Sequence, residues 1–122
     1  MPNHILIVDD DVANIDLFKV MFRTLDVEVQ SATTGGEALE QAQNDPPLLL
    51  FLDLMLPDMT GFEVCARLKG DPATARIQIA MLTGRSDEAV RQKAQEVGAD
   101  HFLVKPFTRA DLKALLDSAL GA

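Results

Sequence analysis

Tryptophan and tyrosine are absent from this chain, and cysteine occurs once, as Cys65. A lone thiol excludes an internal disulfide and any zinc site built on a cysteine cluster. Cys65 itself reads as a small buried residue of a helix. Histidine is nearly as scarce, with His4 and His101, which leaves little for an imidazole-based metal site. Positive charge is in deficit: 11 Lys and Arg face 19 Asp and Glu, a formal net charge of −8. A protein that grips nucleic acid by its phosphates needs Lys and Arg to displace counterions, so direct nucleic-acid binding is not expected. The same charge argues against docking on an anionic membrane surface. No apolar run approaches the roughly 20 residues that span a bilayer. The opening Met1-Pro2-Asn3-His4 lacks the basic-then-apolar pattern of a secretion signal. The expected location is the cytoplasm.

What is present is ample apolar material, 48% of 122 residues, enough for one domain over residues 1–122 with a real core. There is no internal repeat and no low-complexity stretch. Turn formers recur at Gly35-Gly36, Asp45-Pro46-Pro47, Pro57, Gly61, Gly70-Asp71-Pro72, Gly84, Gly98 and Lys105-Pro106, and they punctuate the chain. Between them lie short apolar runs at Ile5 to Val8, Val27 to Ala32, Leu48 to Leu52, Ile77 to Leu82 and Phe102 to Val104. The first, third and fourth are nearly continuous in apolar residues, as strands covered on both faces should be. Val27-Glu28-Val29-Gln30 alternates, as a half-exposed edge strand would.

The intervening stretches read as helices over Val12 to Leu25, Gly36 to Asn44, Phe62 to Lys69 and Asp87 to Val97, with a last one opening at Thr108. Asp111, three residues after Thr108, suggests a capping box. Five strand–helix repeats predict an α/β fold, a doubly wound five-stranded parallel sheet with helices on both faces.

The informative pattern lies where the apolar runs stop. They end in Asp9-Asp10-Asp11, in Asp53, in Thr83 and in Lys105. In an open parallel sheet these ends share one edge, where ligands bind. Asp9, Asp10 and Asp53 so placed would raise one another's pKa unless a cation intervened, and one lysine cannot neutralise three carboxylates. A hard divalent cation can; Mg²⁺ takes one or two carboxylates together with waters and phosphate oxygens. Asp53 then becomes the centre of the chemistry, because a carboxylate can attack phosphorus and form an aspartyl phosphate. Lys105 would hold a phosphoryl oxygen as a point charge, and Thr83 would donate a hydrogen bond to another. Each residue also has a plainer reading. An Asp pair after a strand serves as a helix cap, Lys-Pro marks a turn, and Thr at a strand end is often structural. Their joint occurrence in this order favours the site, with Asp11 left over as a cap or solvent residue.

Four motifs then carry a family resemblance: Ile5-Leu6-Ile7-Val8-Asp9-Asp10, Leu52-Asp53-Leu54-Met55-Leu56-Pro57-Asp58-Met59-Thr60-Gly61, Met81-Leu82-Thr83-Gly84 and Val104-Lys105-Pro106-Phe107. Over essentially its whole length the chain resembles the receiver domain of two-component response regulators, the group that includes the chemotaxis receivers. The resemblance implies the flavodoxin-like strand order 2-1-3-4-5 and a cis Lys105-Pro106 bond. It implies that Asp53 is the phosphoacceptor and that Asp9 and Asp10 hold Mg²⁺ together with Asp53 and the backbone carbonyl of Met55. Thr83 and Lys105 match the switch hydroxyl and the phosphate-contacting lysine. Phe102 matches the aromatic that repacks when Thr83 is drawn toward the phosphoryl group, a population shift between two packings. Met55 and Arg85 fall where family members tune hydrolysis.

The implied partners are a histidine kinase or histidine-phosphotransfer protein and an output protein. The output surface would lie around the last two helices and the strand between them, and a phosphorylation-dependent dimer is a further implied partner state. A second apolar stripe on the first helix, Ala13, Leu17, Val20 and Met21, matches the face on which such partners dock; burial under a loop would explain it equally well. The module would promote its own phosphorylation and dephosphorylation without being an enzyme for other substrates. An aspartate-nucleophile phosphohydrolase is the rival enzyme reading, but it usually carries a second Asp where Met55 stands. A flavin or nucleotide carrier would want a Gly- or Ser/Thr-rich first loop, where Asp9-Asp10-Asp11 stands. A stand-alone receiver is expected in preference to the N-terminal receiver of a larger regulator.

Overall fold

The computed structural model describes residues 4–25, 27–84 and 87–121. They form β1 (His4–Val8), α1 (Val12–Phe22), β2 (Glu28–Ala32), α2 (Gly35–Asn44), β3 (Leu49–Asp53), α3 (Gly61–Lys69), β4 (Gln78–Thr83), α4 (Glu88–Glu96), β5 (His101–Val104) and α5 (Arg109–Ala119). All four strand pairings are parallel, in the order β2-β1-β3-β4-β5. The three continuous apolar runs became the three central strands, and the alternating run became an edge, as two-sided and one-sided burial require.

Strand side chains alternate between two cores. Leu6, Val8, Leu50, Leu52, Ile79 and Met81 pack with residues of α2, α3 and α4. Ile5, Ile7, Leu49, Phe51, Ala80 and Leu82 pack with α1 and α5. The second core is aromatic. Phe18 lies 5.4 Å, ring centre to ring centre, from both Phe51 and Phe107, and Phe22 lies 5.7 Å from Phe51. Phe107 thereby pins the segment after β5 to α1. No helix among the described residues is long and apolar enough to cross a membrane.

Each helix opens on a side-chain cap: Asp11, Thr34, Thr60, Asp87 and Thr108. Such caps contribute about 1 kcal/mol each. The Thr108–Asp111 capping box is formed in full.

Several boundaries differ from the sequence reading. α1 stops at Phe22 although Leu25 continues its apolar stripe. The Met21 carbonyl accepts from Arg109 Nε at 3.1 Å, and the chain turns with Leu25 N–H donating to Phe22 O at 3.0 Å. Leu25 still packs on the core, so apolar spacing outlasts the helix. β3 and β4 each extend to one polar residue, because pairing is a backbone property: Asp53 aligns with Leu82 and Thr83 with Val104. β5 starts at His101 for the same reason, aligned with Ala80.

Candidate functional site

The polar residues at the strand ends are held by the sheet ladder itself. Asp9 N–H donates to Ala32 O at 3.1 Å, Leu54 N–H to Leu82 O at 3.2 Å and Lys105 N–H to Thr83 O at 2.8 Å. Asp9 follows β1, Asp53 and Thr83 close β3 and β4, and Lys105 follows β5. The Lys105–Pro106 peptide bond is cis, as the resemblance implied.

This placement brings Asp9, Asp10 and Asp53 together, with one carboxylate oxygen from each lying within 4.8 Å of the others. Lys105 Nζ stands 3.9 Å from Asp53 Oδ1. Asp9 is buried at 2% exposure and Asp10 is exposed. Ionised pairs about 4.8 Å apart repel by roughly 3 kcal/mol at an effective dielectric near 20. A single ammonium cannot offset that for three groups. Burial pushes the Asp53 carboxyl above the ordinary carboxylate range; Lys105 opposes the push, Asp9 adds to it, and the N–H groups of Leu54 and Met55 offset part of it. The donor set is oxygen only, which suits a hard divalent cation.

The capping alternative for the acidic pair is resolved by Asp11. Its Oδ1 accepts from Ala13 N–H at 2.9 Å, so Asp11 caps α1 and neither Asp9 nor Asp10 does. Asp9 instead accepts from Asp11 N–H at 2.9 Å and from Asn14 Nδ2 at 3.3 Å. Thr83 is buried at 3% exposure. Met55 is 68% exposed, bridged to Thr60 across the β3–α3 loop. Arg85 lies outside the described residues.

Phe102 is partly buried against the core of α2, α3 and α4. Its neighbour on β4 is Met81, two residues before Thr83, so Phe102 and Thr83 are diagonal neighbours on one face. Ala13, Leu17 and Val20 of the second α1 stripe are exposed, Leu17 at 53% and Val20 at 54%, whereas Met21 is partly buried against the core of α1 and α5. Burial therefore explains Met21 and not the exposed part of the stripe. Cys65 is buried in α3, as expected.

Three supporting residues escaped sequence reasoning. Asn14 steadies Asp9. Asp58 bonds both Gly35 N–H, at 2.8 Å, and Gly36 N–H, at 2.9 Å, which ties the loop after β3 to the start of α2. Those bonds hold the Asp58 carboxyl below its ordinary value. Gly61 is a close-approach position, since a Cβ there would fall 2.4 Å from the Asp53 carbonyl oxygen and 3.1 Å from Leu54 Cα. The only signal for Asp58 and Gly61 was their place in a family motif, and Asn14 carried none.

A parallel sheet of this order, with an acidic cluster and a lysine at its C-terminal edge, is the arrangement that the resemblance to receiver domains implied. The family model for the response regulator receiver domain matches residues 5–117. The chain belongs to that family. It is 40% identical over 106 residues to the response regulator PleD of Caulobacter vibrioides, covering 87% of this chain and 23% of PleD. It is 38% identical over 116 residues to the phosphate regulon transcriptional regulatory protein PhoB of Rhizobium meliloti, covering 95% of this chain and 51% of PhoB. The chain therefore spans about a quarter of the one relative and half of the other. Among solved structures, the receiver domain of sensor histidine kinase PA1611 from Pseudomonas aeruginosa covers all of both chains at a TM-score of 0.90 and 25% identity. That structure is described with a magnesium ion coordinated in its active site cleft.

Proposed function

We propose that residues 1–122 act as one receiver domain that takes a phosphoryl group onto Asp53 from a phosphohistidine and then changes a protein-interaction surface. The observation that carries this reading is the meeting of three carboxylates within 4.8 Å with a lysine ammonium 3.9 Å from the central one. Asp9, Asp10, Asp53 and the Met55 carbonyl would hold Mg²⁺. When bound, that ion supplies charge neutralisation for the carboxylates and for the incoming phosphoryl oxygens. An Asp53 oxygen attacks phosphorus, the phosphorus–nitrogen bond breaks, and its electron pair leaves with the imidazole of the donor. The product is a mixed anhydride on Asp53. Lys105 neutralises a phosphoryl oxygen, and the Thr83 hydroxyl donates to another. Phe102, the diagonal neighbour of Thr83, repacks as Thr83 moves.

The donor protein docks on α1. Val12, Leu17 and Val20 are exposed there, beside a cleft of about 170 Å³ that runs past Met21 and Phe107 to Asp9 and Lys105. A helical bundle carrying the phosphohistidine fits an apolar helix face of this kind. Leu17→Glu should slow transfer from the kinase or phosphotransfer protein and leave acetyl phosphate labelling intact; loss of both would defeat the docking assignment.

The deciding experiment is intact-mass measurement after incubation with acetyl phosphate and Mg²⁺. The wild type should gain one phosphoryl group in a Mg²⁺-dependent way, and Asp53→Asn should gain none. Failure of the wild type with both acetyl phosphate and a competent phosphorylated donor would overturn the reading.

A further inference from the structure

The switch aromatic is not held by the core alone. The Arg91 guanidinium carbon, from α4, lies 4.6 Å from the centre of the Phe102 ring, well inside cation–π range. Both side chains border a shallow hollow of about 100 Å³ on the surface between α4 and β5. The ring packs against the core of α2, α3 and α4 and also meets the Arg91 guanidinium. Nothing in the charge cluster at the sheet edge requires Arg91, which is exposed and stands on a different element.

We propose that Arg91 is a positioning residue acting through Phe102: its cation–π contact holds the ring in the place it has here and so sets how readily the domain adopts its phosphorylated arrangement. This rests on the reading of Asp53, Thr83 and Phe102 given above. A ligand that binds only one of two arrangements has an apparent affinity scaled by the population of that arrangement. Removing a contact made only in the other arrangement raises that population. An exposed cation–π contact corresponds to a change of about two- to fivefold.

The test is titration of the phosphoryl mimic beryllofluoride with Mg²⁺, on wild type, Arg91→Ala, Phe102→Leu and the double variant. The ring resonances of Phe102 are followed in parallel by NMR. The expected result is that Arg91→Ala shifts the Phe102 ring signals without ligand and tightens beryllofluoride binding about two- to fivefold. In the Phe102→Leu background the same change should have no effect, which is the coupling a double-mutant cycle measures. A contact that only stabilised the fold would alter the melting temperature and leave this affinity alone. Unchanged or weakened binding in Arg91→Ala, or an undiminished gain in the Phe102→Leu background, overturns the assignment. Absence of Mg²⁺-dependent binding by the wild type overturns the receiver reading itself and this inference with it, so the two failures are told apart by the wild-type curve.

Discussion

The two edges of the sheet treat charge in opposite ways. Near the N-terminal ends of the strands, Lys69 Nζ meets Asp100 Oδ2 at 2.8 Å and also donates to Ile77 O at 2.8 Å and Ala75 O at 3.2 Å. Asp100 Oδ2 accepts in addition from Ile79 N–H at 2.9 Å. One cation and one anion are fully engaged there, and they fasten α3, β4 and the approach to β5. At the C-terminal edge three carboxylates share one lysine, at the longer distance of 3.9 Å. The first arrangement is complete in the protein alone. The second leaves like charge in excess among the described residues, and a local excess of like charge that the fold tolerates is where function is to be sought.

Substitutions that pull the two edges apart make this contrast measurable. The largest effect is expected from Lys105→Met, which removes the cation from the developing charge. Its acetyl phosphate labelling rate should fall about 10²- to 10³-fold with little loss of thermal stability, as read by mass spectrometry and calorimetry together. Asp100→Ala should do the reverse. It leaves the Lys69 ammonium and the Ile79 N–H without that partner, at a cost of roughly 1–3 kcal/mol, seen in urea unfolding, and the labelling rate should stay near wild type.

Asp53→Asn tests the sign of the electrostatics. The folded carboxyl sits above its ordinary value, so its ionisation opposes folding; that cost is absent below the unfolded pKa and fully present above the folded one. The variant should therefore melt higher than wild type at pH 7 without divalent cation, and the difference should vanish near pH 3. A lower melting temperature at pH 7 would mean that the Lys105 pair dominates. The smallest effect concerns Asp58, whose carboxyl is held below its ordinary value. Its contribution is complete above the unfolded pKa and lost as pH falls through the folded one. Asp58→Ala should lower the melting temperature at pH 6, and the gap should narrow in strong acid.

The acidic edge was legible in the sequence because β1, β3 and β4 are continuous apolar runs, so each first polar residue marked a strand end. Parallel pairing then put Asp9, Asp53, Thr83 and Lys105 side by side. The satisfied edge was not legible, since Lys69 was only the last residue of a helical stretch and no local pattern singled out Asp100. Asp58 was missed for the same reason: its partners lie 22 and 23 residues earlier, and no local periodicity encodes that contact. The Arg91–Phe102 contact spans α4 and β5 and depends on how the helix lies over the strand. α1 was read too long because apolar spacing continues to Leu25, whereas the backbone turns after Phe22 and the Met21 carbonyl is taken by Arg109 from the far end of the chain.

The buried thiol in α3 has a practical side. Desolvation pushes Cys65 up to about 11, so only about one molecule in 10⁴ carries a thiolate at neutral pH. Alkylating reagents will pass it by. A reporter cysteine introduced on the surface of α4 or α5 can be labelled without removing the native one, and a tryptophan introduced anywhere will fluoresce against a dark background.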